Sequence, residues 1–290
     1  MITIFATPKD FKGLFKTIQI NALRSWRFLS PDIQIIIFGD SIGSKEVASE
    51  IKAEYIPNVQ CSPQGTPILS DMFEKAEKNA KFSTLTFINS DIILPRNFLS
   101  AVKICKEKYD KFLMVGHRWD IDVEELIDYN DKRKRKAFID KLGINSIQHP
   151  CTGIDYFVYK KYQWGGLPNF IIGRPGYDNW LIWKARRNLV PVIDASNIIK
   201  VFHQNHNFIF HNITSDPKIN PEPEGLYNRE IINDNTLNLL DCTFKLVGNK
   251  IEKNKTKNFK IRNLYRLPKI FPEFAILIKL YRRLYNLFYE

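Results

Sequence analysis

The sequence predicts an α/β protein built on an open sheet flanked by helices. Three observations predict it. Short apolar runs alternate with stretches of helical periodicity over residues 1–94. The run Ile33-Gln34-Ile35-Ile36-Ile37-Phe38 is apolar almost throughout, as in a strand covered on both faces. Polar clusters close three such runs: Thr7-Pro8-Lys9, Gly39-Asp40-Ser41 and Asn89-Ser90-Asp91.

The elements follow in order. Residues 2–6 read as a short buried strand stopped at Thr7-Pro8. Phe11, Leu14, Phe15, Ile18, Leu23 and Trp26 then recur at helical spacing. After the turn Ser30-Pro31-Asp32 come strand 33–38, a helix over 44–53 and a short strand over 54–56. Ile68, Leu69, Met72, Phe73 and Ala76 share one face of a helix over 68–80. Strand 85–88 ends at Asn89-Ser90-Asp91, and Ile92-Ile93-Leu94 follows. Residues 112–116 form another strand, followed by His117-Arg118-Trp119-Asp120. Residues 120–136 carry acids and then the run Lys132-Arg133-Lys134-Arg135-Lys136, read as a solvated helix with opposite charges on neighbouring turns. A strand over 155–159, a Gly- and Pro-rich loop over 165–176, a helix over 179–188 and a strand over 190–193 follow. His203, His206 and His211 then lie close together.

Composition narrows the class. At 290 residues, 44% hydrophobic and 26% charged, the chain is too apolar for general disorder. Lys and Arg number 43 against 31 Asp and Glu, a net charge of +12. Residues 245–290 hold twelve of the cations and three of the acids, so that tail carries +9 and the body +3. No run of about 18 apolar residues exists, so no transmembrane helix is expected. Residues 1–6 have no basic flank and are not read as a signal peptide. Cys61, Cys105, Cys151 and Cys242 are far apart, with no CxxC pair, which fits a reducing cytoplasm.

Open α/β sheets bind ligands beyond the carboxyl ends of their strands. Any one of the three polar clusters is explained by a turn, since Asn, Asp, Ser and Gly are turn formers. Three at successive strand ends are better explained by a common site. Asn89-Ser90-Asp91 offers a carboxylate beside a second oxygen ligand, which suits a hard cation such as Mg²⁺ or Mn²⁺; an Asx turn is the bland alternative. Asp178, where a Gly/Pro loop meets a helix, suits an N-cap, and equally a base aimed at a cleft. The histidine group suits metal or phosphate contact, although packed neutral histidines are common.

The order of these motifs resembles the GT-A-fold nucleotide-sugar glycosyltransferases that build bacterial surface polysaccharides, over residues 1–212. The resemblance rests on Thr7-Pro8-Lys9, Gly39-Asp40-Ser41, a helix containing Asp71, Asn89-Ser90-Asp91, the strand at 153–157, Tyr177-Asp178 and a downstream His. It implies a GT-A-like, Rossmann-type open mixed sheet. It places Asn89-Ser90-Asp91 at the family's Asp-x-Asp metal motif, with Asn89 in place of the first acid, so metal affinity would be weaker or the metal dispensable. It makes Asp178 the general base, with Asp155 as a second candidate catalytic residue. Asp91 with His203 or His206 would hold the cation. Thr7, Lys9, Asp40, Asp71, Asn89, Ser90, Arg118, Trp119 and Arg174 would contact the nucleotide-sugar donor. One base on the face opposite the leaving group implies a single displacement, hence inversion.

In the tail, residues 249–260 read as a polar, flexible stretch, Pro268 and Pro272 punctuate, and 273–290 read as a helix. Phe274, Leu277, Tyr281, Leu284 and Phe288 form its apolar stripe; Lys279, Arg282 and Arg283 face away. A basic amphipathic helix with aromatics suits an anionic membrane surface, and a helix docked on the body is the alternative. Nucleic acid is disfavoured, because the aromatics lie on the apolar stripe and not in a basic groove. The resulting expectation is a catalytic domain over 1–244 with a membrane-surface tail over 245–290. It would transfer sugar to a glycan or lipid-linked glycan acceptor at the inner face of the cell membrane. A non-catalytic nucleotide-sugar-binding protein of the same fold is the rival from another class. A nucleotidyltransferase is the rival enzyme, but Thr7-Pro8-Lys9-Asp10-Phe11 lacks the Gly-rich loop such enzymes carry.

Overall fold

A computed structural model describes residues 1–206, 222–280 and 283. Its strands are β1 (Thr3–Ala6), β2 (Gln34–Phe38), β3 (Glu54–Ile56), β4 (Thr84–Ile88), β5 (Ile92–Ile93), β6 (Leu113–Val115), β7 (Arg118–Ile121), β8 (Ile147–Gln148), β9 (Tyr156–Lys160), β10 (Val192–Asp194), β11 (Val201–Gln204), β12 (Phe244–Val247) and β13 (Lys250–Lys253). Its helices are α1 (Gly13–Leu29), α2 (Ser44–Glu50), α3 (Leu69–Asn79), α4 (Phe98–Lys108), α5 (Lys132–Asn145), α6 (Tyr177–Arg187), α7 (Pro223–Ile232) and α8 (Lys257–Ile270).

Among the described residues the main sheet runs β13-β12-β10-β6-β9-β4-β1-β2-β3. It is an open mixed sheet. β1 pairs in parallel with β2 and β4, and β6 with β10, whereas β9 runs antiparallel to both β4 and β6. Helices cover both faces, and the strand pleat divides the core between them. Ile4, Ile35 and Ile37 face one cluster with Trp26 and Phe98. Their neighbours Phe5, Ile36 and Phe38 face the other, with Phe73 and Leu181. Trp26 is fully buried and donates its Nε1–H to the carbonyl of Ile92, 2.8 Å away.

A smaller sheet, ordered β5-β11-β7-β8, stands beside the main one. Arg118, Trp119, Asp120 and Ile121 pair in parallel with Val201, Phe202, His203 and Gln204. Ile93, Ile121, Phe202 and Leu142 make its own small core. These short strands were absent from the sequence reading.

Other expectations need correction. The charged helix begins at Lys132, not within 120–131, because Asp131 caps it by accepting from the backbone N–H groups of Arg133 (2.8 Å) and Lys134 (3.0 Å). Residues 249–260 are not a free linker. β12 pairs in parallel with β10, β13 closes the hairpin antiparallel to β12, and α8 begins at Lys257. The expected boundary after residue 244 therefore falls inside a strand of the main sheet. Pro268 lies within α8, one turn or less from its end, where few backbone bonds are lost.

α8 is docked on the body. Leu264 and Ile270 are buried. Trp183 Nε1–H donates to the Lys269 carbonyl at 3.2 Å, and Arg262 pairs with Asp241 at 2.6 Å. Beyond it, residues 275–280 are helical and leave Ile276 and Leu277 largely exposed, at 84% and 65%. Arg282, Tyr281, Leu284, Phe288 and His211 lie outside the described residues. No helix among the described residues is long and apolar enough to cross a membrane.

Candidate active site

The site forms where β1, β2 and β4 end beside the small sheet. β4 stops at Ile88, and the next three residues turn out of the sheet. Asn89 is fixed from both ends: its backbone N–H donates to the Asp155 carbonyl at 3.0 Å, and its Nδ2–H donates to Asp155 Oδ1 at 2.7 Å. Ser90 Oγ–H donates to Gln19 Oε1 at 3.0 Å. Gln19 also holds the β1 exit, accepting from Lys9 N–H at 2.7 Å and donating to the Lys9 carbonyl at 2.9 Å. One buried glutamine thus ties the first polar cluster to the third.

Asp91 meets both histidines named from sequence. Its Oδ2 lies 3.1 Å from His206 Nε2 and 3.7 Å from His203 Nε2. Single ligand atoms of the three residues lie within 4.8 Å of one another, the grouping a cation needs. Burial would raise the Asp91 carboxyl, but the charge of His203 and the His206 hydrogen bond hold it below the usual range. Asp91 Oδ1 is buried and has no hydrogen-bond partner among the described residues. A buried orphan oxygen costs stability unless something binds it, so these residues fit a divalent cation.

A second layer orders this group. His203 Nδ1 lies 3.1 Å from Asp120 Oδ1, so the opposite ring nitrogen faces Asp91. The same carboxylate accepts from His149 at 2.6 Å and pairs with Arg118 Nε at 3.0 Å. Burial works against its ionisation, yet these partners hold it well below the ordinary carboxylate range. Burial likewise disfavours the charged imidazolium of His203, but Asp91 and Asp120 raise it overall. Asp120 and His149 were missed as site residues. Asp120 carried a signal, one residue past Arg118-Trp119, but β8 brings His149 to it only through strand pairing.

Asp155 is 5% exposed, and both its oxygens are engaged. Arg118 Nη1 donates to Oδ1 at 3.2 Å and Oδ2 at 3.1 Å, and Asn89 takes Oδ1 as well. It therefore positions Arg118 and Asn89, a correction to the expectation that it reacts. The Asn89 departure also finds its reason here: an amide can donate to Asp155, whereas a second carboxylate would repel it.

Asp178 lies in the first turn of α6, which starts two residues before the expected helix. Gly176, not Asp178, is the N-cap. Gly176 has φ +102°, and a Cβ there would run into Ile232, so only glycine lets the chain turn in at this point. Burial pushes the Asp178 carboxyl up to about 7, against the Asn179 backbone N–H that lowers it and together with the charge of Asp155 that raises it. Asp155 is thus electrostatically coupled both to Asp178 and, through Arg118, to the histidine group.

The remaining donor-side candidates divide. Thr7 Oγ1–H donates to the Phe38 carbonyl at 3.1 Å, joining the ends of β1 and β2. Asp40 is exposed beside it. Asp71 accepts from Gln60 N–H at 2.8 Å and pairs with Lys75 at 2.7 Å, so it orders the 58–60 loop. Burial lowers the Lys9 ammonium, while Asp91 raises it and Arg174 lowers it, which places all three charges in one region. Arg174 pairs with Glu222 at 2.9 Å and with buried Glu224, so its charge is already balanced. Trp119 is the clearest correction. Residues alternate faces along β7, so Arg118 and Asp120 face the site and Trp119 joins the small core on the other side. There Lys200 sits 3.8 Å over its ring.

No family profile and no curated protein matches the chain. Solved structures do. S. aureus TarS in complex with UDP-GlcNAc is 9% identical, with TM-score 0.46, covering 81% of this chain and 66% of that one. Glucosyl-3-phosphoglycerate synthase from Mycobacterium tuberculosis, in complex with Mn²⁺, UDP and phosphoglyceric acid, is 15% identical, with TM-score 0.45, covering 71% of this chain and 72% of that one. A second structure of the M. tuberculosis synthase is 11% identical, with TM-score 0.47, covering 90% and 92%. The chain spans 60% of the length of TarS residues 1–349 in a further structure.

Proposed function

We propose that this chain is a metal-assisted, inverting glycosyltransferase. It moves a sugar from a nucleotide-sugar donor to a glycan acceptor, lipid-linked and presented at the inner face of a membrane. The observation that carries the reading is one charge network with two ends. At one end Asp91, His203 and His206 form a cation-sized group with an orphan oxygen. At the other Asp178 has its carboxyl near 7, where a base is half-ionised at neutral pH.

The chemistry assigns each end a role. The acceptor hydroxyl oxygen bonds to the anomeric carbon as its bond to the nucleoside diphosphate breaks. The electron pair leaves on the phosphate oxygen, and the acceptor proton passes to the Asp178 carboxylate. A divalent cation held by Asp91, His203 and His206 would neutralise the charge that develops on the diphosphate. Lys9, beside Asp91, adds positive charge to the same place. Thr7 and Asp40 mark the nucleotide side at the ends of β1 and β2. Arg118 and Asp155 hold the network between the two ends. One base permits one displacement, so the anomeric configuration inverts.

The membrane part of the proposal is supported by the tail. Arg262 and Lys269 are bound to Asp241 and Asp234, so those cations belong to the fold. Past α8, exposed Lys279 and Arg283 accompany exposed Ile276, Leu277 and Leu280. Each cation near anionic lipid contributes about 1 kcal/mol.

The test is Asp178→Asn. Transfer should fall by about 10³-fold or more, consistent with loss of a general base, while donor binding persists. Turnover near that of the unaltered enzyme would remove Asp178 from the mechanism.

A further inference from the structure

A pocket of about 280 Å³ opens between the ends of β6 and β10 and the start of α8. It adjoins the charge network without belonging to it. His117 on its wall precedes Arg118 in the chain, and His117 Nδ1 lies 3.1 Å from the carbonyl of His149. Leu239, on another wall, donates its N–H to the Cys151 carbonyl at 3.3 Å. The next residue of that turn, Thr152, accepts from Asn179, the neighbour of Asp178, at 3.4 Å. The pocket thus borders both the histidine network and the turn that meets the proposed base.

Its lining is mixed in a particular way. Phe259 and Leu239 give it an apolar side. Asn258, Lys245 and Asp194 give it a polar one. Lys245 pairs through its backbone in β12, and its ammonium makes no hydrogen bond or ion pair with the described residues. Arg262 also borders the pocket, but Asp241 takes its guanidinium at 2.6 and 2.9 Å. One available ammonium faces one carboxylate, so the pocket is close to neutral and unsuited to a phosphate. An aromatic wall opposite amide, ammonium and carboxylate groups suits a ring with an apolar face and a rim of hydroxyls. The volume falls below the range of drug-sized sites, which limits it to about one ring.

From this we infer that the pocket binds a single pyranose ring of the acceptor, with Phe259 as its platform and Lys245 and Asn258 as hydroxyl partners. The word acceptor rests on the glycosyltransferase reading; the sugar site itself does not. The position also explains why residues 256–260, expected to be flexible, are fixed to the body: Thr256, Asn258 and Phe259 form a wall of the pocket.

Saturation-transfer NMR with methyl β-glucopyranoside, methyl β-galactopyranoside and methyl β-N-acetylglucosaminide tests this. The full chain is compared with Phe259→Ala and Lys245→Met. The same samples are tested for a thermal shift with nucleoside diphosphates and Mn²⁺. At least one glycoside should receive saturation, and each variant should weaken its binding by about tenfold with the nucleotide shift retained. No saturation of any glycoside, or equal binding in both variants, overturns the pocket. Glycoside binding without a nucleotide shift in the unaltered chain would uphold the pocket and overturn the transferase reading.

Discussion

Asp120 Oδ1 accepts from His203 Nδ1 at 3.1 Å, and this bond decides which nitrogen of His203 faces Asp91. Partners of this kind fix the tautomer and ring orientation of metal-binding histidines, and losing them costs 10–100-fold in affinity. Asp120→Asn should therefore weaken Mn²⁺ binding by about 10–100-fold, measured by calorimetry on the isolated protein. Unchanged affinity would mean that Asp120 serves Arg118 and His149 and does not set the His203 ring.

Asn89 donates to Asp155 at 2.7 Å, so Asn89→Asp places a second carboxylate against the first. Like charges this close disfavour joint ionisation. Urea unfolding at pH 7.5 should show a loss of about 1–3 kcal/mol, shrinking as the pH falls and one acid gains a proton. A variant as stable as the parent at pH 7.5 would contradict the donor role given to the amide.

Asp178 has its folded carboxyl raised to about 7 from the ordinary 3.8. A raised group gives stability that is fully present below the unfolded value and lost as pH rises through the folded one. Asn cannot ionise. Asp178→Asn should thus gain on the unaltered chain from pH 4 to 7 and level off above, reaching about 1–3 kcal/mol in calorimetry. Activity should move the other way, rising with pH through about 7 as the base ionises. A stability difference that is flat from pH 4 to 8 would mean the carboxyl is not perturbed.

Phe274 and Leu277, on the apolar stripe, are exposed at 54% and 65%, as a lipid-facing helix requires. Phe274→Asp with Leu277→Asp should cut binding to vesicles containing phosphatidylglycerol by about tenfold or more, and added salt should weaken the parent's binding. Equal co-sedimentation of both proteins would remove these residues from membrane contact.

The legible parts of the sequence were those buried on both sides. β1, β2 and β4 are buried along their length, so they read as continuous apolar runs. α3 showed its inner face by period. The small sheet was illegible, because β5, β7, β8 and β11 are two to four residues long, and all but β5 carry mixed side chains. Its pairing is what delivers Asp120 and His149 to the site and turns Trp119 away from it. The β13 edge was misread for a related reason: Lys250, Glu252 and Lys253 are exposed, and a charged edge strand looks like linker. Asp91, His203 and His206 were named from their order alone, but only the fold places them on one point.

The most direct measurement is a thermal-shift screen with UDP-, GDP-, CMP- and dTDP-sugars, with and without Mn²⁺. A ligand at about 100 times its Kd stabilises by about 2.7 kcal/mol, which such a screen detects. At least one donor should raise the Tm in the presence of Mn²⁺. The shift should survive Asp178→Asn and be lost in Asp91→Asn. No shift with any donor, or one indifferent to Asp91, would contradict the account.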